Sequence, residues 1–384
     1  MRTARGAEVA ETFARGVERY RAGAYAEAEA IFARTRRSRR NDPATLRMLG
    51  LSRLRLGKRD QALDLLEKAR TLAPHDPYAR LHYGLGLHAL GRHAEAAAEF
   101  RVCAPMLSAD PAPYLNLSAA LLALGDVTGA IVAARRARRR DQKLPQAAYM
   151  VGMAYLAAER YGEALQAFVG ALRLDPKMAD AWVNIGVIQY RRNDIEGAKS
   201  AMRRALAIAP DHIGAAGNLG AFLRLSGQVE AAEQLLADVL RRNSDAAEVR
   251  VNQAAALLSE ERPAEALALL DAKPVAADAR VARHWQMQRS LALLQVGRAA
   301  EAREIVAAIG NVPPALAPLM LWRRTLLALA EGDSAAGRAH ALEMEQALAG
   351  TNAIVAEHRI MAHFDLGRFW SRQRDPERTW ELAG

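Results

Sequence analysis

Apolar and polar positions along this chain follow helical spacing, and the spacing pattern itself recurs every 34 residues. Seven blocks, starting at Val9, Pro43, Pro77, Pro111, Pro145, Ala179 and Ile213, run to Ala246 without insertion or deletion. Each block predicts two helices, A and B, joined by a short turn. A period of this length predicts a stack of helix pairs, in which each repeat packs only on its neighbours, rather than a globule with one central core.

The positions within a block have separate tasks. Position 8 reads Gly16, Gly50, Gly84, Ser118, Gly152, Gly186 and Gly220. Glycine in mid-helix costs about 1 kcal/mol relative to alanine, so close approach of two helices is expected there. Position 20 is alanine in all seven blocks, from Ala28 to Ala232, and position 27 is small or β-branched (Thr35, Ala69, Cys103, Ala137, Ala171, Ala205, Val239). Position 24 carries larger apolar side chains, Phe32, Leu66, Phe100, Phe168, Met202 and Leu236, expected to fill the space between helix B and the next repeat. Position 15 reads Gly23, Gly57, Gly91, Gly125, Glu159, Asn193 and Gly227, where a left-handed residue can close helix A. Pro74, Pro176 and Pro210 at position 32 end helix B.

After Ala246 the register loosens. The chain therefore divides into a lead-in (1–8), seven in-register repeats (9–246) and degenerate repeats (247–384), with units expected from Ala247, near Arg283, near Pro318 and near Ile360. The last stops well short of a full repeat, which suggests either a fragment of a longer chain or a final helix that docks elsewhere.

Composition supports helices and changes the picture little: 51% hydrophobic, 25% charged and only 5% aromatic residues. One cysteine, Cys103, excludes an intramolecular disulfide and is expected to be buried and unreactive at its small position. No signal peptide and no apolar run of membrane-span length is visible, so a cytoplasmic location is expected. A net charge of +10 is compatible with an acidic partner, nucleic acid or an anionic surface.

The segment Val151-Gly152…Tyr155…Ala164…Phe168…Ala171…Pro176, with its echo Trp182…Ile185-Gly186…Ala198…Ala205…Pro210, resembles the tetratricopeptide repeat family. The resemblance holds in phase across all seven blocks. It implies an all-α, right-handed superhelical solenoid of antiparallel helix pairs, with helix A of each repeat lining the concave side.

On that surface, position 6 carries Asn116, Asn184, Asn218 and Asn252, each a donor and acceptor in one group. The row is similar to the asparagine ladder of the O-linked N-acetylglucosamine transferase repeat array, which implies capture of an extended peptide backbone. Leu81, Leu85, Leu115, Leu122, Tyr149, Met153 and Leu156, at positions 5, 9 and 12, are expected to form an apolar floor beside it. Tyr190, Arg191 and Arg224 are expected to make the groove mixed and basic farther along.

The arginine runs 34–40 and 135–140 lie at the ends of B helices, where the helix dipole favours cations. They disfavour nucleic acid as a partner, because they sit three repeats apart and no aromatics interleave with them. The search for catalytic residues is negative. Gly50 to Lys58 has the wrong spacing for a phosphate loop, and Gly84-Leu85-Gly86 lies inside a helix. His82, His88 and His93, at spacings of six and five, do not share a helical face well and are expected to be surface or packing residues, as are His358 and His363. No cofactor and no metal site are expected.

The expected function is non-catalytic: a scaffold that holds an extended segment of another protein in its concave groove, with self-association through the C-terminal end left open. One alternative is the recognition array of a larger glycosyltransferase or sulfotransferase, since His363 to Gly367 with Asp375 to Arg378 resembles the last repeat of bacterial sulfotransferase fusions. A second alternative is a basic nucleic-acid-binding repeat protein.

Overall fold

Twenty α-helices and no strand make up the secondary structure of the described residues. The structure, a computed structural model, describes residues 2–273, 279–310, 312 and 316–350. The expected unit near Ile360, with His363, Gly367 and Trp380, lies outside them, as do Pro274, Pro313, Pro314 and His358.

The chain forms two compact units, residues 1–177 and 178–384. The first holds α1 (Arg2–Arg21), α2 (Tyr25–Ser38), α3 (Pro43–Arg55), α4 (Arg59–Leu72), α5 (Pro77–Ala89), α6 (His93–Met106), α7 (Ala112–Ala123), α8 (Val127–Arg140), α9 (Pro145–Ala157) and α10 (Tyr161–Leu174). The second holds α11 (Ala179–Arg191), α12 (Ile195–Ile208), α13 (Ile213–Leu225), α14 (Val229–Arg242), α15 (Ala247–Ser259), α16 (Pro263–Asp271), α17 (Ala279–Gln295), α18 (Ala299–Ile309), α19 (Ala317–Ala330) and α20 (Ser334–Gly350). Odd-numbered helices are the A helices and even-numbered ones the B helices. Within each unit successive helices pack as antiparallel hairpins, and neighbouring A helices lie side by side.

Local chemistry sets the helix ends. Pro43, Pro77 and Pro145 occupy the first turns of α3, α5 and α9, where a missing N–H costs nothing. The Asp42 carboxylate accepts from Thr45 N at 2.8 Å, and Asp126 and Asp194 cap α8 and α12 by accepting from Gly129 N and Gly197 N, each at 2.8 Å. The turn at position 15 is left-handed throughout. Gly125 sits there at φ +76°, but Glu159 (φ 56°) and Glu261 (φ 59°) hold the same conformation with a side chain.

The hairpins close on a single recurring contact. A Cβ built on Gly84 would lie 2.6 Å from Phe100 Cε1, on Gly152 2.6 Å from Phe168 Cε1, and on Gly220 2.7 Å from Leu236 Cδ1. All three facing side chains are fully buried. Repeat four departs from the pattern at both positions together. Ser118 replaces the glycine, and the residue sixteen later, at the site of the phenylalanines, is Ala134, also fully buried. The space is used by the Ser118 hydroxyl, which donates to Ala130 O at 2.9 Å. Position 20 is solvent-free in each of the seven blocks. Cys103 is buried as expected, and burial pushes its thiol up to about 11, away from the reactive thiolate.

Three stability measurements follow from this local geometry. Gly152→Ala is expected to cost about 1–3 kcal/mol in urea denaturation, because the rigid Phe168 ring cannot move aside. Gly186→Ala should cost less than Gly152→Ala, since its nearest neighbour is the flexible Met202 Cε at 2.7 Å, with Ala198 O and Ala201 Cβ farther off at 3.2 Å, and the change gains about 1 kcal/mol of helix propensity; the reverse order would contradict the packing. Glu159→Gly should raise stability by about 1 kcal/mol by relieving the left-handed backbone.

Candidate peptide-binding site

The asparagine row divides by what each amide touches. Asn116 Nδ2 donates to Ala112 O and Asn184 Nδ2 to Asp180 O, both at 2.9 Å and both one turn back in their own helices. Asn252 on α15 reaches across instead, donating to Gly217 O of α13 at 3.0 Å. Gly217 permits this approach, because a Cβ there would lie 3.1 Å from Asn252 Nδ2. Asn218, next along α13, is half-buried and has no hydrogen-bond partner among the described residues.

Asn218 and Asn252 open onto a cavity of about 180 Å³ in the second unit, walled by A helices α13, α15, α17 and α19. Gln288 and Arg323 contribute the wall from α17 and α19. Neither was expected from the sequence, yet both stand at position 6 when the count is carried on from Arg283 and Pro318. The polar row therefore continues through four consecutive A helices. Arg323 is only 3% exposed, and its guanidinium donates to Met287 O at 3.0 Å and to Leu319 O at 2.6 Å. Glu248, ion-paired with Arg280 at 3.1 Å, and Arg224 complete a mixed-charge rim. Arg224 is one of the expected groove residues that this cavity includes. Arg191 is exposed at the end of α11, and Tyr190 packs its ring on Phe222 with centroids 4.8 Å apart; neither lines the cavity.

The apolar floor needs correction. Leu81 is 4% exposed and belongs to the core of the first unit, so it offers nothing to a ligand. Leu85 and Leu122 are half-buried against that same core, and Leu115 packs on the cluster around Tyr114. Tyr149 lays its ring 5.5 Å from that of Phe168, while Met153 and Leu156 are half-buried on α9. The hydrophobic effect has drawn these side chains against their own hairpins, so they form a partly covered margin rather than an open floor.

Two of the three histidines meet across a turn, not along a helical face. His88 ends α5 and His93 begins α6, and the turn folds them together with Nδ1 atoms 3.1 Å apart. Helical-face spacing does not apply across a turn. Burial, then His93, holds the His88 imidazole below its usual value. His82, at position 6 of α5, has its Nδ1 buried without a partner. Burial, with the nearby Arg47 charge, lowers its pKa to about 4, against a smaller opposing effect of Asp76. Among the described residues no three metal-ligating side chains converge, and no helix is long and apolar enough to cross a membrane.

The repeat register, the small–large contact within each hairpin and the aligned A helices converge on one family. Its profiles, described as tetratricopeptide repeat, match residues 47–112, 115–169 and 149–213, and a further one matches 190–253. Together they cover more than half of the sequence. The chain is a tetratricopeptide repeat (TPR) protein. It is similar in structure to a TPR protein from Parabacteroides merdae, with a TM-score of 0.52 at 14% identity, over 65% of this chain and 98% of that one. A thermophilic TPR protein of Thermus thermophilus matches with a TM-score of 0.42 at 23% identity, over 47% of this chain and 99% of that one. YrrB, a TPR protein with an unusual peptide-binding site, matches with a TM-score of 0.38 at 22% identity, over 48% and 95%. At these identities the likeness is one of fold. No curated protein matches the chain. As a TPR array it falls among the protein-interaction scaffolds.

The buried imidazole makes a pH-dependent prediction. Between its ordinary value of 6.5 and about 4, His82 takes up a proton in the unfolded chain but not in the folded one. Its contribution to stability is therefore complete above about pH 6.5 and is lost as the pH falls toward 4. Denaturation at pH 7 and pH 4 should show a loss about 3 kcal/mol larger for the wild type than for His82→Asn; equal losses would contradict the burial.

Proposed function

We propose that this TPR protein is a non-catalytic scaffold that binds an extended segment of another polypeptide along the A helices of its second unit. The observation that carries the reading is the Asn218 amide, half-buried on the cavity wall with no partner among the described residues. Water serves this half-buried amide in the free protein, and a ligand that replaces the water with well-placed hydrogen bonds gains about 0.5–1.5 kcal/mol for each. An extended peptide backbone presents alternating N–H and C=O groups, which an amide can pair with whatever the peptide sequence. The Asn252 carbonyl oxygen is available in the same way, since only its Nδ2 is engaged. Gln288 on the next A helix extends the series, and Arg323, locked by two backbone carbonyls, gives the trough a fixed positive wall.

Selectivity in this reading comes from the rim. Glu248 paired with Arg280, and Arg224 on the other side, favour a segment carrying charges of both signs over a purely apolar one.

The test is the double substitution Asn218→Ala with Gln288→Ala, examined against peptides selected from a random library on the intact array. Both side chains lie on the trough, so helicity by circular dichroism should not change. Affinity should fall about tenfold or more, the equivalent of two modest hydrogen bonds. Unchanged affinity with intact helicity would remove the row from the account.

A further inference from the structure

The first unit contains a second opening that the peptide trough does not use. A cleft of about 530 Å³ lies between B helices α2 and α4 and the A helix α3. Its polar lining comprises Arg36, Arg37, Arg40, Asn41, Arg53 and Lys68, with only Ala33 and Leu49 apolar. Volumes of this order suit a small molecule.

The charges around the cleft are uncompensated. Arg53 is the exception, paired with Glu29 at 2.9 Å, and Glu29 is shared with Lys58 at 2.7 Å. The Lys58 hydrogen bond, against an opposing effect of burial, holds the Glu29 carboxyl below its usual range, so that charge is already committed. Arg36, Arg37, Arg40 and Lys68 have no carboxylate partner among the described residues. Some arginines elsewhere are matched, Arg47 with Asp76 at 2.7 Å, Arg80 with Glu99 at 3.1 Å and Arg262 with Glu233 at 2.8 Å, and others, such as Arg101, Arg191 and Arg203, stand exposed and apart on single helices; the cleft differs in gathering four such cations on one opening. The other arginine run behaves differently as well. Arg140 and Arg136 lie over the Tyr114 ring, 4.3 Å and 5.9 Å from its centre. The helix dipole accounts for cations in the last turn of α2, but not for Lys68, which reaches the same cleft from α4.

We propose that this cleft binds a diphosphate group. Two joined phosphoryl groups concentrate several negative charges in a small volume, which suits the four unpaired cations. Guanidinium forks bind phosphoryl oxygens two at a time. No aromatic ring lines the cleft to stack a base, which sets it apart from a single-stranded nucleic-acid channel. The site is independent of the peptide trough.

Calorimetry on the full chain tests this with inorganic pyrophosphate as the probe, beside orthophosphate, ADP and an oligoglutamate peptide. Two double variants carry the same charge change: Arg36→Gln with Arg40→Gln in the cleft, and Arg135→Gln with Arg139→Gln on α8. The expected result is one pyrophosphate per chain. Its affinity should fall about tenfold or more in the cleft variant and change less than about twofold in the α8 variant. Orthophosphate should bind about tenfold more weakly than pyrophosphate. ADP bound as tightly as pyrophosphate would make a nucleotide the source of the group, and ADP excluded would make the source inorganic; either outcome upholds the site. Absence of pyrophosphate binding, equal losses in the two variants, or oligoglutamate bound more tightly than pyrophosphate would overturn it.

Discussion

The contact between a glycine on the A helix and a large side chain on its B helix, present in six of the seven regular repeats, sets the geometry on which the rest of this array depends. Where Gly84 meets Phe100 and Gly152 meets Phe168, the ring sits in the volume a Cβ would occupy. The two helices approach to the distance that contact allows, and close packing leaves little freedom to vary it. Ser118 with Ala134 keeps the arrangement by the opposite allocation of volume, which makes the pair, and not glycine itself, the constraint. At Ala254 a methyl is accommodated opposite Leu270, both buried, where α16 is shortened to nine residues.

A fixed hairpin fixes the phase of helix A relative to its neighbours, and that phase places position 6 on a shared wall. Fidelity there lets Asn252 reach the carbonyl of Gly217 in the preceding A helix. It also lets Gln288 and Arg323 fall in line in a region where the repeat is no longer regular. The buried Arg323 ties α17 to α19, its donors holding a carbonyl of each, and it lines the cavity.

Much of this was legible in the sequence because backbone spacing recurs with the period. The helix pairs, the left-handed turns and the buried alanines all follow from position within the block. What was not legible depends on depth and on neighbours. Leu81, Leu115 and Tyr149 share position 5, but Leu81 is enclosed while the other two stay half-buried, because the side chains packed around each differ. His88 and His93 meet because the chain reverses between them, which a single helical wheel does not represent. Gln288 and Arg323 were within reach had the position-6 count been continued through the looser units. The basic cleft was not, since an arginine run on α2 reads as a ridge until Arg53 and Lys68 from two other helices enclose it.

The central claim is that the amides of the position-6 row meet the ligand's backbone, and side-chain amide resonances report on that directly. In a ¹⁵N-correlated spectrum of the array titrated with a selected peptide ligand, the NH₂ pairs of Asn218 and Gln288 should shift and broaden first, with that of Asn116 in the first unit unmoved. Shifts confined to the first unit, with Asn218 and Gln288 unperturbed at saturation, would contradict the account.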